Sequence, residues 1–238
     1  MKLRNPKSKN HLNIKRKYHV LDVGGGHDPH PRANVVVDKY DDDNSHRCGD
    51  LVVRKNQTFV KADGESLPFE DNEFDYVVCK HVLEHVDDPI KFLKELSRVG
   101  KMGYLETPSL IGEFLHPKAS HKWLLMEIDD ELILYDKDKV NFVPNRDFGE
   151  LFLTYLQSQS LGYKIFDKTE PLMRQVQIEW KDEITCLVNP DMDEYLRYFA
   201  KPWDLDMVKK IFPPRSVKKE IISMIQALLD ITRVYMKK

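Results

Sequence analysis

The sequence lacks the features that would mark a membrane-spanning or a disulfide-rich protein. Its apolar runs are only a few residues long, whereas about 20 residues are needed to span a bilayer. Only three of the 238 residues are cysteines, and Cys48, Cys79 and Cys186 are scattered along the chain. Such a set forms neither a disulfide framework nor a metal-binding knuckle, so we predict a reducing, cytoplasmic location.

An excess of charge of one sign is also missing. The chain has 37 Lys and Arg against 39 Asp and Glu, for a net charge of −2, which argues against DNA or RNA binding by the whole surface. Residues 1–17 are the exception, because they are basic and contain no acid. No apolar segment follows them, so we predict a solvated basic arm rather than a signal peptide. Contact of this arm with an anion or a membrane surface is the alternative.

Glycine is scarce, which makes its one cluster informative. Three of the ten glycines are adjacent, at Gly24, Gly25 and Gly26, directly after the apolar segment 18–23. Similar short apolar segments follow at 35–38, 58–63, 74–79 and 103–107. Because these segments are almost continuously apolar, they predict parallel strands buried on both faces.

The order of these segments predicts a doubly wound α/β fold. Asp88 can cap a helix that begins at Pro89 and ends before Gly100, which gives a right-handed βαβ unit between the fourth and fifth strands. The second half is less regular. It predicts a hairpin over 123–135, a helix over 147–160, two strands within 173–188 and an amphipathic helix over 216–236.

These segments suggest one domain over residues 18–212. We predict that residues 110–145 are an insertion after the fifth strand that shapes the substrate side of the site. Residues 213–238 would carry the C-terminal helix, which could pack on its own domain or on a second copy in a homodimer. The acidic residues of this helix count against its lying in a membrane interface.

Chemically informative residues recur where the predicted parallel strands end. The glycine cluster follows the first strand, Asp38 ends the second, and Asp63 follows the third. Since ligands of open parallel sheets bind outside the carboxyl ends of the strands, these residues predict a pocket for a nucleoside-like ligand. A nicotinamide dinucleotide fits less well, because Pro29 stands where the third glycine of its fingerprint belongs.

A second pattern follows the fourth strand, where His81, Glu84 and His85 have the spacing of inverted zinc peptidases. That motif requires a long helix, whereas here the pattern follows a strand directly and Pro89 comes soon after. Residues 27–30 could also form a small His and Asp cluster, but two prolines in a loop account for it equally well. We therefore predict no metal ion.

Taken together, these segments resemble class I S-adenosylmethionine-dependent methyltransferases. The resemblance covers residues 18–108 and rests on the first-strand motif ending in the glycine cluster, on Asp38 and Asp63, and on the long match from Leu67 to Val99. It implies a mostly parallel seven-stranded Rossmann-like sheet with S-adenosylmethionine across its middle. The implied cofactor-binding residues are Asp22, Gly24, Gly25, Gly26, Asp38, Asp63, Gly64 and Lys80.

The resemblance also implies a role for each member of this set. The glycines would pass beneath the methionine portion, Asp38 would bind the ribose hydroxyls, and Asp63 with the Gly64 backbone would bind the adenine. Asp22 would fix the methionine amino group or the loop. Lys80, together with His81, would lie near the sulfonium.

The reaction implied by the resemblance is an in-line displacement at a methyl carbon, so the protein must mainly position the acceptor and exclude water. A hydroxyl acceptor would benefit from a general base, for which His81, His85 and His121 are candidates. Glu106 is a further candidate. We expect a small-molecule or glycan-precursor acceptor. The alternatives are an RNA methyltransferase that uses the basic arm and a non-catalytic cofactor-binding module that acts through a partner.

Overall fold

The computed structural model describes residues 1–6, 11–40, 49–143 and 147–235. Cys48 and two cations of the predicted arm, Lys7 and Lys9, lie outside the described residues. The strands described are β1 (Lys2–Arg4), β2 (Val20–Val23), β3 (Val35–Asp38), β4 (Thr58–Lys61), β5 (Tyr76–Lys80), β6 (Met102–Pro108), β7 (Trp123–Ile128), β8 (Glu131–Asp136), β9 (Gln175–Lys181) and β10 (Leu187–Val188). The α-helices are α1 (Pro89–Val99), α2 (Leu110–Leu115), α3 (Leu156–Gln159), α4 (Leu161–Thr169), α5 (Asp193–Ala200), α6 (Leu205–Ile211) and α7 (Val217–Tyr235). None of these helices is both long and apolar enough to cross a membrane.

The main sheet has seven strands in the order β1-β9-β6-β5-β2-β3-β4. Five neighbouring strands of this sheet, β2 to β6, are parallel, as the five apolar segments predict. From β2 the chain first moves outward through β3 and β4, then crosses back to β5 on the other side of β2. This change of direction leaves a crevice at the carboxyl ends of β2 and β5, which is where such folds bind ligands.

The N-terminus supplies the seventh strand, which differs from the predicted arm. Lys2–Arg4 pair antiparallel with β9, and β9 pairs antiparallel with β6. The Lys2 ammonium pairs with Glu127 and lies 2.7 Å from an Asp130 oxygen, while Arg4 lies 2.6 Å from Glu179. Two of the arm's cations are therefore held in ion pairs at the sheet edge.

Helix α1 forms where it is predicted and covers one face of the sheet. The Asp88 side chain caps it by accepting a hydrogen bond from the Lys91 backbone at 3.0 Å. Its buried side chains include Phe92, Leu93 and Leu96. Ile90, which the periodicity places on the buried face, is 45% exposed, because the contact with the sheet is centred on Phe92.

A second, three-stranded sheet has the order β10-β8-β7. The predicted hairpin is confirmed: β7 and β8 pair antiparallel, and the turn residues Asp129 and Asp130 both have positive φ. The two strands predicted within 173–188 do not pair with each other, because β9 joins the main sheet and β10 joins β8 in parallel. Side chains of α5 and α6 pack with this sheet in one apolar cluster. The predicted insertion is thus part of a small second layer that also includes residues 187–211.

The remaining helices α3, α4 and α7 form a group in which α4 contacts both α3 and α7. Residues 150–155 form a widened π-helical turn that leads into α3, within the predicted helical region 147–160. The predicted C-terminal helix is confirmed as α7, which packs against α4. Several apolar side chains of α7 are exposed, including Ile221, Ile225 and Leu229.

Candidate functional site

A cavity of about 990 Å³ lies at the carboxyl ends of the parallel strands. The loops after β2, β3 and β4 form one end, and the turn after β5, the residues around β6 and β9 and the loop before β7 form the other. A volume of this size is at the upper end of the range for small-molecule sites and leaves room for two ligands side by side. The cavity therefore has a glycine-loop end and an opposite end, which we call the polar end.

The glycine loop holds its backbone close to its neighbours. Gly24 and Gly26 have φ values of 71° and 51°, a left-handed conformation that glycine adopts easily. A Cβ atom on Gly24 would lie 2.1 Å from a methyl of Val82. Turns rather than a helix connect this loop to β3, consistent with the prolines there. The Lys80 ammonium donates to the Asp28 carbonyl at 3.0 Å and so ties the loop to the end of β5.

Asp22 supports the glycine loop from behind and does not line the cavity. It is fully buried, and its carboxylate accepts a hydrogen bond from the His30 backbone at 2.5 Å. Of its two predicted roles, this position favours fixing the loop.

Asp38, Asp63 and Gly64 line the glycine-loop end, as predicted. Asp38 accepts a hydrogen bond from the Tyr40 backbone at 3.1 Å. Asp63 lies 2.7 Å from the Lys39 ammonium; burial would raise the pKa of this carboxyl, but the hydrogen bond from Lys39 outweighs burial and keeps the pKa below its ordinary value. A Cβ atom on Gly64 would lie 2.4 Å from the ring of Phe92, so only glycine fits there without displacing the core.

His81 lies at the polar end, directly after β5, with a φ of 53°. Its backbone N–H donates to the Glu106 carbonyl at 2.8 Å, which continues the pairing of β5 with β6. One ring nitrogen lies 3.2 Å from Glu106 and the other 3.5 Å from Glu84. Burial would lower the pKa of His81, but the adjacent negatively charged carboxylates of Glu106 and Glu84 raise it to about 9. A histidine that is protonated at neutral pH is a poor base, so the base role remains a prediction that this observation does not favour.

Glu106 is the centre of a buried polar network. It accepts hydrogen bonds from the Tyr104 hydroxyl and, at 2.8 Å, from the Gln177 amide. Burial would raise its pKa, but His81 and these donors lower it to about 2. The carboxylate is therefore charged at neutral pH and faces the cavity beside His81 and Gln175.

The structure brings His85 and His121 together around Glu84. Their rings are 4.8 Å apart between centroids, and one nitrogen of each ring lies 3.9 Å from the same Glu84 oxygen. Two hydrogen bonds hold the loop before β7 against this turn: the Lys122 backbone N–H donates to the Glu84 carbonyl, and the Trp123 indole donates to the Val86 carbonyl, both at 2.8 Å. The three predicted histidines thus lie in one group, with Glu84 between them.

Several residues at the polar end were not predicted from the sequence. Glu84 was noted only as part of a motif, although its position between two histidines was visible. Gln175, Gln177 and Arg174 come from β9 and the residue before it, where nothing in the local pattern indicates a site. Arg174 is held by Asp167, whose side chain also lines the cavity.

Comparison with known proteins agrees with this geometry. The family model of a methyltransferase domain matches residues 24–105. An uncharacterised methyltransferase from Mycobacterium avium is 36% identical over 111 residues, which cover 43% of each chain. A demethylmenaquinone methyltransferase from Renibacterium salmoninarum is 38% identical over 104 residues, covering 41% of this chain and 42% of that one. The chain therefore spans less than half the length of these curated relatives.

Solved structures are similar at lower identity. An S-adenosylmethionine-dependent methyltransferase from Mesorhizobium loti is 11% identical, with a TM-score of 0.39 over 69% of this chain and 90% of that one. The matched segment, residues 24–105, contains the glycine loop, Asp38, Asp63 and the turn after β5. This segment is therefore a methyltransferase domain, and over it the resemblance to class I S-adenosylmethionine-dependent methyltransferases is confirmed.

Proposed function

We propose that this chain transfers the methyl group of S-adenosylmethionine to a small polar acceptor, such as a glycan precursor. The observation that carries the proposal is the single cavity with two different ends. A glycine loop and carboxylates at strand ends border one end, and a cluster of three histidines and the buried carboxylates Glu84 and Glu106 borders the other. Cofactor and acceptor could therefore meet without crossing solvent.

The glycine-loop end fits the cofactor on three grounds. Gly24 and Gly26 have the left-handed backbone that lets a ligand approach closely. Asp38 can accept hydrogen bonds from two ribose hydroxyls. Asp63 and the Gly64 backbone stand where an adenine amino group would need an acceptor, and the absence of a Cβ on Gly64 leaves the Phe92 ring undisturbed.

The cofactor supplies a methyl group that is already activated on a sulfonium, so the chain mainly has to bind, orient and exclude water. Lys80 holds the glycine loop against the end of β5. His81 lines the polar end of the cavity beside Glu106. His116 and residues 118–122 line the polar end, and this part of the predicted substrate-side insertion would exclude water from the acceptor.

A small acceptor is favoured over RNA because the basic arm is partly used within the fold. Lys2 and Arg4 are paired with acids at the sheet edge. Lys15, Arg16 and Lys17 are exposed. Deletion of residues 1–17 would also remove β1, so the sharper test of RNA binding replaces these three exposed cations with alanine. An unchanged affinity for RNA at low salt, with unchanged turnover, supports the small acceptor.

The proposed location is the cytoplasm, from the cysteine content alone. Within the described residues, Cys79 and Cys186 are free thiols.

The first experiment is a calorimetric titration of the full chain with S-adenosylmethionine and S-adenosylhomocysteine, with NAD as the control. Micromolar binding of the first two and none of NAD is expected. A methyl-labelled cofactor is then incubated with a metabolite fraction and, separately, with protein-free RNA. Label in a metabolite supports the proposal. Label in RNA would replace it with the RNA methyltransferase, and cofactor binding without transfer to either would favour a non-catalytic binding module.

A further inference from the structure

The group Glu84, His85 and His121 has the composition and geometry of a metal site, and we propose that it binds a divalent transition-metal ion. Each of these residues offers one ligand atom, and the three atoms lie within 4.8 Å of one another. Two imidazoles and a carboxylate are a ligand set that suits Zn²⁺ and its first-row neighbours. Nothing in the matched methyltransferase domain requires such a site, because methyl transfer itself needs no metal.

The two histidines are oriented as metal-binding histidines usually are. Nδ1 of His85 lies 3.0 Å from the Ser120 carbonyl, and Nδ1 of His121 lies 2.6 Å from a Glu113 oxygen. An acceptor at Nδ1 holds the ring proton there and leaves the lone pair on Nε2. Both Nε2 atoms point at Glu84, each 3.9 Å from its Oε1.

The carboxylate between them has one oxygen with no hydrogen-bond donor. Glu84 is 1% exposed, and its Oε2 accepts a hydrogen bond from the Thr107 hydroxyl at 3.0 Å. Its Oε1 is buried and, within the described part of the chain, accepts no hydrogen bond; the nearest cation, Nδ1 of His81, lies 3.5 Å from it. Leaving a buried carboxylate oxygen without a donor is costly, and a cation bound to Oε1 would remove that cost.

The surrounding residues hold the three ligands in place before any ion binds. Glu113, which fixes His121, accepts a hydrogen bond from Lys137 at 2.6 Å and another from the Lys118 backbone at 3.0 Å. The main-chain hydrogen bond from Lys122 to Glu84 joins the two segments that carry the ligands. Ligands about 2.1 Å from a tetrahedral ion are roughly 3.4 Å apart, so the atoms would have to move together by only about half an ångström.

This site is not the zinc-peptidase motif considered from the sequence. Residues 83–85 form a single 3₁₀ turn rather than a long helix. The second histidine is His121 from the loop before β7, not His81. The long helix that such a peptidase requires is therefore absent at residues 83–85, and the third ligand becomes visible only in the folded chain.

Three protein ligands leave coordination positions open, and all three residues line the cavity. The role of the ion rests on the proposed function: it would bind an oxygen of the acceptor and lower the pKa of a hydroxyl. The hydroxyl proton would pass to solvent, its oxygen would bond to the methyl carbon, and the carbon–sulfur bond would break. The products would be a methyl ether and S-adenosylhomocysteine, which makes a hydroxyl-bearing acceptor the expected class.

The test measures metal binding without cofactor or acceptor. The full chain is treated with a chelator, dialysed, and titrated with Zn²⁺ by calorimetry and with Co²⁺ by visible absorption. The variants are Glu84→Gln, His85→Ala and His121→Ala. The matched control is His27→Ala, because His27 lines the same cavity outside the cluster. We expect one Zn²⁺ per wild-type chain, at least a 100-fold loss of affinity in the three variants, and wild-type affinity in the control.

Two outcomes would overturn the proposal: a wild-type chain that binds no stoichiometric Zn²⁺ or Co²⁺, or binding that Glu84→Gln leaves intact. Glu84→Gln preserves the size of the side chain, so it remains informative where an alanine variant fails to fold. Titration of the same samples with S-adenosylhomocysteine separates the two proposals. Metal binding without cofactor binding would reject the proposed function alone, and cofactor binding without metal binding would reject the metal site alone.

Discussion

Replacement of Gly24 by alanine tests how the glycine loop is packed. The φ of 71° at this position is about 1–2 kcal/mol less favourable for an alanine than for a glycine. The added Cβ would also lie 2.1 Å from a Val82 methyl, and relieving such an overlap costs about 1–3 kcal/mol. We therefore expect Gly24→Ala to lower the free energy of unfolding by about 2–5 kcal/mol.

The steric part of this loss can be separated because the nearest atoms around the new Cβ all belong to Val82. Val82→Ala removes both methyl groups and leaves only the Val82 Cβ, at 3.5 Å, an ordinary contact. On its own, Val82→Ala removes two half-buried methyl groups and costs about 1 kcal/mol. In the double variant the overlap is absent. The loss in free energy of unfolding should therefore be about 1–3 kcal/mol smaller than the sum of the two single losses.

The assay is urea denaturation of the four proteins of this cycle, with titration of S-adenosylhomocysteine on the same samples. Gly162→Ala is the matched control, because a Cβ there has no atom closer than 3.9 Å. Replacing a helical glycine at such a site should raise stability by about 0.5–1 kcal/mol. Strictly additive losses at Gly24 and Val82 would refute the packing described for the loop.

Three further predictions concern the two ends of the cavity. Asp38→Ala should weaken cofactor binding by about 1–3 kcal/mol, as measured by calorimetry, whereas Asp71→Ala on the surface should not; equal affinities would remove Asp38 from the ribose role. Gly64→Ala should lower the free energy of unfolding by about 1–3 kcal/mol, because its Cβ meets the buried Phe92 ring; an unchanged urea midpoint would contradict that contact. Glu106→Gln should reduce turnover at least tenfold while cofactor affinity changes less than twofold, and equal losses of both would make Glu106 a residue of the cofactor site.

The cofactor half of the fold could be predicted because local signals agree with the tertiary structure there. Short apolar segments, the cap at Asp88 and the glycine cluster each act within a few residues, so the parallel strands and α1 follow from the sequence. The same holds for Asp38, Asp63 and Gly64, since strand order alone places the ends of parallel strands at one edge. The residues of α1 that are buried could not all be predicted from the sequence, because the packing of Phe92 against the sheet decides which side of the helix is covered.

The edge strand β1, the pairing of β10 and the histidine group at the polar end depend on contacts between distant segments, which no local pattern encodes. The strand Lys2–Arg4 reads as a charged arm, and it forms because β9 offers an open edge and because Glu179 and Glu127 pair with its cations. The strand β10 pairs with β8 rather than with β9, which precedes it in the sequence. His121 could be listed as a candidate, but its meeting with Glu84 and His85 depends on how the loop before β7 docks.

The hydrogen bonds from Lys122 and Trp123 dock a later segment of the chain onto the turn after β5. The two ends of the cavity therefore come from different parts of the sequence. The part that carries the proposed cofactor residues is built from one run of sequence, whereas the polar end exists only once a later segment has docked on that run. A lineage could therefore exchange the later segment and acquire a new substrate while the earlier run stayed unchanged. The boundary across which such an exchange would preserve the cofactor pocket lies between β6 and β7.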